Sequence, residues 1–375
     1  YRSVREAGTR HAMNERIQSA WDAVFALAPV EASIERECAD VYAVRQDPAV
    51  RRGNGATQSL RFVDAVSAAL DTAMASDDRL VLMGQDIAEY GGVFKVTDGF
   101  VERYGRDRVR NTPLCESAVL GCALGLSLAG RPSVVEMQFA DFVSCGFNQI
   151  VNNLAKTHYR WGAPVQVTVR LPTGAGSSAG PFHSQSNEAW FTHVPGLKVV
   201  YPSTAEDAKG LLLASIRDPN PVMFFEHKGL YRSVQGDVPD ADYEIALGRA
   251  RIAQPGDRLT IVTYGAGVKW ALAEAERHGG VEVIDLRSLL PWDRETVFES
   301  VAKTSRCIVL HEDTLFGGIG GEIAAEIGEH CFHDLDAPVT RVGSLDTPVP
   351  FAKPLEDAFL PQRRLSECVE RMLAY

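Results

Sequence analysis

The residues best placed for chemistry lie in Arg108–Gly121, RVRNTPLCESAVLG. A polar turn, Asn111-Thr112-Pro113, leads through Leu114 and Cys115 to a single carboxylate, Glu116, and a small apolar run, Ser117–Gly130, follows. Pro113 disfavours helix at Thr112, so the chain is expected to be extended there and Glu116 to open the next helix. Two readings of Glu116 stand at this point. One is a surface acid in a first helical turn, where the dipole favours it. The other is a buried carboxyl of raised pKa that handles a proton.

A second candidate is the glycine- and serine-rich loop Pro172–Gln185, which follows a strand and ends in His183-Ser184-Gln185-Ser186. Such loops can cradle phosphate, but no Gly-Lys-Ser/Thr closes this one, so it is not a P-loop. A His at the carboxyl end of a parallel strand sits where open α/β sheets bind ligands; it is equally a common surface residue. Phe316–Gly321, FGGIGG, lacks the spacing of a dinucleotide fingerprint and reads as close helix–strand packing or an interface turn. His311-Glu312-Asp313 cannot all chelate one ion from a regular strand, because neighbours point to opposite faces. HExxH, GxSxG with triad partners, and EF-hand loops are absent from the sequence.

The elements that position these residues alternate. Strands are expected at Arg79–Met83, Ser133–Gln138, Pro164–Arg170, Leu197–Tyr201 and Val222–Glu226. Helices are expected on the face Leu60, Val63, Val66, Leu70, Met74, over Phe142–His158, and over Ala205–Ile216 with Ser203 and Glu206 as a capping box. Polar Gln235–Asp242 reads as a domain boundary. The pattern then restarts: strands Leu259–Thr263, Val281–Leu286, Cys307–Leu310 and Val339–Val342, with helices Gly267–His278, Asp293–Lys303 and Gly320–Gly328. Such alternation predicts an α/β protein with mostly parallel sheets covered on both faces. The 111–116 turn, the 138–142 strand end and the 172–185 loop are then able to meet. Upstream, Ile17, Trp21, Val24 and Phe25 have helical spacing, while Pro29, Pro48 and Arg51–Gly55 read as linker.

The chain has 375 residues, 45% apolar and 23% charged, which suits two or three soluble domains. A net charge of -11 argues against nucleic acid or an anionic membrane as the main partner. Seven scattered cysteines without CxxC argue against a disulfide framework or zinc knuckle, and fit a reducing cytoplasm.

Beyond the residue-level reading, ordered blocks carry a family resemblance: GQDIAEYGGVFKVTDGF (84–100), RVRNTPLCESAVLG (108–121), EMQFADF (136–142), FHSQSNEAWFTHVPGLKVVYPS (182–203), VIDLRSLLPWD (283–293) and HEDTLFGGIGGEIA (311–324). From about residue 59 the sequence closely resembles the beta subunit of the decarboxylating component of 2-oxo acid dehydrogenase complexes. DVYAVRQDP (40–48) looks like the tail of that component's alpha subunit, which implies an alpha–beta fusion. The resemblance implies three parts: a helical arm and linker over 1–57, a transketolase-like pyrimidine-binding domain over 58–240, and a C-terminal transketolase-type α/β domain over 241–375.

The resemblance also implies thiamine diphosphate, bound between an alpha-type and a beta-type half. No Gly-Asp-Gly motif is present, so magnesium ligands are expected from the alpha-type half and this chain alone is expected to be inactive. Glu116 corresponds to the carboxyl that hydrogen-bonds the aminopyrimidine ring nitrogen. Burial beside Leu114 is expected to raise its pKa and keep it protonated, so that the exocyclic nitrogen can accept the proton lost from the thiazolium carbon. Leu114, Gln138 and Phe142 correspond to residues lining the pyrimidine pocket. His183 corresponds to the histidine that assists acyl transfer to a lipoyl group. A potassium site is expected on Val165, Val167, Thr168, Ser215, Asp218 and Asn220. The second domain is expected to serve dimer contact and docking of the lipoyl acyltransferase core. The implied reaction is oxidative decarboxylation of a 2-oxo acid, with NTPLCE and EMQFADF favouring branched-chain over pyruvate members. Two rivals are another transketolase-type thiamine enzyme acting on sugar phosphates, and a non-catalytic docking subunit.

Overall fold

The computed structural model describes residues 2–45 and 55–375. The expected linker at Pro48 and Arg51–Asn54 lies outside the described residues. The chain divides into two units, one ending at Asp40 and one comprising Val41–Tyr375. The first unit holds a helix, Arg2–Phe25, longer than the apolar spacing alone outlined, and a short helix, Ile34–Ala39, capped by Ser33 Oγ. Met13, Ile17, Trp21 and Val24 are exposed along the long helix.

The second unit contains two main sheets. The larger runs, edge to edge, through Ser288–Leu290, Lys198–Val200, Val222–His227, Val167–Thr173, Ser133–Glu136, Val81–Gly84 and Val109–Asn111. Its pairings are parallel except at Ser288–Leu290. The smaller sheet runs through Thr340–Ser344, Cys307–Thr314, Leu259–Thr263, Val281–Asp285 and Arg251–Gln254, antiparallel only at the last strand. Val167–Thr173 is buried at every position even though Val167, Val169 and Leu171 alternate with Thr168, Arg170 and Pro172, because the sheet is covered on both faces. Phe62–Ser76 turns Phe62, Val63, Val66, Leu70 and Met74 inward to pack with Leu211, Leu212 and Phe224.

Local readings changed in four places. Leu60 is not helical; Thr57–Arg61 is a strand, paired antiparallel with Gln235–Pro239. That second strand occupies most of the segment read as an irregular boundary. Ser288–Leu290, expected in the second domain, adds to the edge of the first sheet. Thr204, not Ser203, caps Ala205–Arg217 by accepting from the Asp207 N–H, while Ser203 Oγ donates to Asp285. Phe142–His158 is not one regular helix. Ala140–Gly146 is a 3₁₀ helix, Gln149–Leu154 a π turn, and Ala155–Trp161 an α-helix. Widened turns of this kind occur often at functional sites.

Candidate active site

Glu116 is the first residue of the helix Glu116–Leu128, as Pro113 predicts. Gly146 sits against its backbone: a Cβ there would lie 3.5 Å from the Glu116 carbonyl oxygen and 2.3 Å from Leu120 Cδ1. The 140–146 helix therefore packs on the first turn of the Glu116 helix, against Leu120, with no room for a side chain at position 146. Glu116 Oε1 accepts a hydrogen bond from Gln85 Nε2 at 3.1 Å, its one side-chain hydrogen bond among the described residues. Gln85 stands just past the end of the Val81–Gly84 strand, and its own Oε1 is buried without a partner. Next to it, Asp86 accepts a long bond from Gln138 Nε2, 3.4 Å. Glu116, Gln85, Asp86 and Gln138 thus form a continuous polar rim along the carboxyl ends of adjacent parallel strands.

The apolar side of the rim is aromatic. Phe139 and Phe142 pack edge-to-face at 5.7 Å, and the His183 imidazole contacts both, at 4.7 and 5.6 Å between ring centroids. The structure therefore brings Glu116, Gln138, Phe142 and His183 together, and Leu114 lies on the turn two residues before Glu116. The expected burial is not present. Leu114 is 83% exposed and Glu116 is half-buried, so these residues of the chain do not themselves enclose the carboxyl.

The loop that carries His183 is held by charge. Glu356, fully buried, accepts from the backbone N–H groups of Gly176 (2.8 Å) and Ser178 (3.1 Å). These are the N–H groups a phosphate would have used, and a carboxylate of the chain fills them instead. Glu312 Oε1 accepts from the Ala175 N–H at 2.6 Å, and its Oε2 from His227 Nε2 at 2.6 Å. Because His227 Nδ1 accepts the Gly229 N–H, the ring proton lies on Nε2. Burial alone would raise the Glu312 carboxyl; His227 and the Ala175 N–H outweigh it and hold the group below its ordinary value. On the alternate face of the same strand, His311 is buried and burial lowers it to about 4. A Cβ at Gly318 or Gly320 would meet its ring at 2.7 and 2.5 Å, so FGGIGG is indeed a close-packing turn.

Beneath the rim, Arg170 is buried between two carboxylates. It grips Glu226 at 2.7 and 2.8 Å and also pairs with Glu136. Desolvation opposes the Arg170 charge, but Glu226 and Glu136 outweigh it, and the guanidinium stays firmly protonated. Tyr231 completes the cluster by donating to Glu226 at 2.7 Å. Sequence reasoning missed this cluster, and Gln85, because single polar residues in apolar strands carry no spacing signal.

Among the described residues no group of three His, Cys, Asp or Glu side chains can hold a metal, and no helix is long and apolar enough to cross a membrane. The six residues expected at potassium do lie together: Val165 N donates to Pro219 O, and Thr168 pairs with Val222. Their one carboxylate is engaged, however. Asp218 Oδ2 lies 2.6 Å from the Lys198 ammonium, and its Oδ1 accepts from the Asn220 backbone and side-chain nitrogens. As the side chains stand, the one carboxylate of the set is turned to Lys198 and Asn220.

The rim fits an aminopyrimidine. A carboxyl with one oxygen uncommitted, a glutamine that orients the other, and an open aliphatic and aromatic rim are the groups such a ring requires.

Comparison with known proteins defines the class first. Residues 58–234 match the family described as transketolase, pyrimidine binding domain, and residues 248–364 match transketolase, C-terminal domain. A solved chain described as split gene transketolase, inactive beta4 tetramer, shares the fold with a TM-score of 0.68 at 23% identity, covering 84% of this chain and 98% of that one. Full-length relatives are more specific. The chain is 46% identical to 2-oxoisovalerate dehydrogenase subunit beta 2, mitochondrial, of Arabidopsis thaliana, covering 82% of this chain and 87% of that protein. It is 43% identical to 2-oxoisovalerate dehydrogenase subunit beta of Bacillus subtilis (84% and 98%). It is 45% identical to 3-methyl-2-oxobutanoate dehydrogenase subunit beta of Mycobacterium tuberculosis (84% and 93%). The chain belongs to the family of 2-oxoisovalerate dehydrogenase beta subunits.

Proposed function

We propose that this chain forms the pyrimidine-binding half of a two-part active site that oxidatively decarboxylates 2-oxo acids, branched-chain ones favoured, and passes the acyl unit to a lipoyl group. The observation that carries the reading is the half-open rim: Glu116 has an uncommitted oxygen, Leu114 is 83% exposed beside it, and His183 packs on Phe139 and Phe142, which follow Gln138 at the adjoining strand end. A second protein surface is needed to close it. An alpha-type half fits that need and would bring magnesium ligands, for which the described residues offer no cluster. Residues 1–57 would belong to its tail, a point tested by the gene: an open reading frame starting close to Tyr1 would refute the fusion.

Glu116 would hold a proton at the aminopyrimidine ring nitrogen, with Gln85 fixing the carboxyl's rotation. When bound, thiamine diphosphate supplies the nucleophilic carbon and the electron sink for loss of CO2. Leu114, Phe139 and Phe142 would exclude water from the ring, and His183 would move a proton during transfer to the lipoyl sulfur. The relatives named for 2-oxoisovalerate (3-methyl-2-oxobutanoate is the same acid) support the branched-chain preference. A sugar-phosphate substrate is disfavoured because Glu356 occupies the loop's backbone N–H groups. A purely docking role would not need Glu116.

The test is to co-express the chain with its alpha-type half and assay several 2-oxo acids with and without thiamine diphosphate. The proposal expects cofactor-dependent turnover, fastest with branched acids. No turnover in a correctly assembled complex overturns it.

A further inference from the structure

We infer that Lys228 is a positioning residue for His183, clasping the two ends of the loop that carries it. The inference rests on the acyl-transfer role proposed for His183. Lys228 Nζ donates to the carbonyl oxygens of Gly174, at 2.8 Å, and His183, at 2.7 Å. One ammonium thus ties the residue where the chain leaves the strand to the residue that does the chemistry, nine positions later. It also sits 5.7 Å from the centroid of the Phe139 ring, against which the His183 imidazole packs at 4.7 Å. The same cation therefore supports both the backbone and the ring that seat the imidazole.

The imidazole itself has no side-chain hydrogen bond among the described residues; its ring packs on Phe139 and Phe142. Nothing polar fixes its rotation, so its aim depends on the backbone beneath it. Glu312 at Ala175 and Glu356 at Gly176 and Ser178 hold the first half of the loop, and at its far end Thr173 Oγ1 donates to Gln185 O at 2.6 Å while Asp141 Oδ1 accepts from Gln185 N and Nε2 at 3.2 and 3.1 Å; none of these reaches His183 itself. At His183 the Lys228 bond is the strong one, since His183 N reaches Gly180 O only at 3.5 Å. Charge-assisted bonds of this kind are shorter and stronger than neutral ones.

Burial lowers the Lys228 ammonium to about 8, while Asp141, Glu312 and Glu356 face it and favour the charge. His227 precedes it on the chain and is tied up with Glu312.

The experiment uses the full chain assembled with its alpha-type half and a lipoyl domain as acceptor. Lys228→Met, His183→Ala and the double variant are compared in decarboxylation, read with an artificial oxidant, and in reductive acylation of the lipoyl domain. Misplacing a reacting group by about 1 Å can slow a step on the order of 100-fold. Lys228→Met is expected to slow acylation by roughly 10- to 100-fold and decarboxylation much less, with Lys228→Arg recovering part of the loss. The double variant should be no slower than His183→Ala alone, because Lys228 acts through His183. Hydrogen exchange over residues 174–186 should rise in Lys228→Met. Wild-type acylation in Lys228→Met beside a slow His183→Ala overturns the inference, as does additive loss in the double variant or unchanged exchange in the loop. A fully active His183→Ala instead refutes the role of His183, and the exchange result separates the two failures.

Discussion

Replacing Glu116 by Gln separates the proton-handling role from every structural one. The two side chains have the same shape, and the glutamine oxygen can still accept from Gln85 Nε2, which lies 3.1 Å from Glu116 Oε1. Helix start, packing on Gly146 and the aromatic rim should all survive. What is lost is a carboxyl able to hold and return a proton. Loss of such a group typically slows a reaction by about 10²- to 10⁴-fold. That corresponds to roughly 2.7–5.5 kcal/mol of barrier at about 1.36 kcal/mol per decade. Gln85→Leu gives the comparison. It deletes one hydrogen bond to a half-buried carboxylate, about 1.5 kcal/mol, and should slow turnover about tenfold. The assay is decarboxylation of a branched 2-oxo acid by the assembled enzyme with an artificial oxidant, at saturating thiamine diphosphate. Cofactor affinity is measured separately by calorimetry. Glu116→Gln within threefold of wild type would refute the reasoning. So would a deficit abolished by more cofactor, which would make Glu116 a binding group only.

Three further outcomes follow from the geometry. Arg170→Met leaves Glu136 and Glu226 buried without their cation, and should destabilise the chain by about 3–5 kcal/mol in urea titrations; adding Glu136→Gln and Glu226→Gln should recover much of it. Gly196→Ala should fail to give soluble protein at 37 °C, because the residue has φ +95° and a Cβ would lie 1.9 Å from Ala155 O. Glu188 is pushed up to about 8 by burial and by its neighbour Asp313, so the folded state binds that proton more tightly than the unfolded chain. Its contribution to stability is full below the ordinary carboxylate value of about 4.3 and is lost as pH rises toward that raised value. Glu188→Gln should therefore flatten the fall in stability between pH 5 and pH 8, and a fall as steep as wild type would show that another group titrates.

What the sequence disclosed depended on how local each signal was. The strand–helix alternation, the helix opening at Glu116 and the packing role of FGGIGG follow from neighbours along the chain. They were readable from Pro113, from short β-branched stretches such as VTV, and from glycines beside a helix start. The expected burial of Glu116 is not found; nothing in its local sequence signals that the turn before it leaves Leu114 exposed. The capping residue was missed by one position because Ser203 is drawn away to Asp285, which is distant in sequence. Similarly, the phosphate-like loop cannot be distinguished from a filled one without knowing that Glu356 arrives from far down the chain. Lys228 and Gln85 give no local signal, since single polar residues at strand ends have no spacing to recognise.

The exposure of Leu114 has a meaning for the cell as well as for the reaction. Phe182, one residue before the site histidine, is likewise 68% exposed. A copy of this chain made without a partner presents those side chains to water, and apolar patches left uncovered invite aggregation and chaperone capture. Production of the two halves must therefore be matched. The fusion proposed above would set their ratio at one to one during translation, and would leave no surplus copy to be cleared.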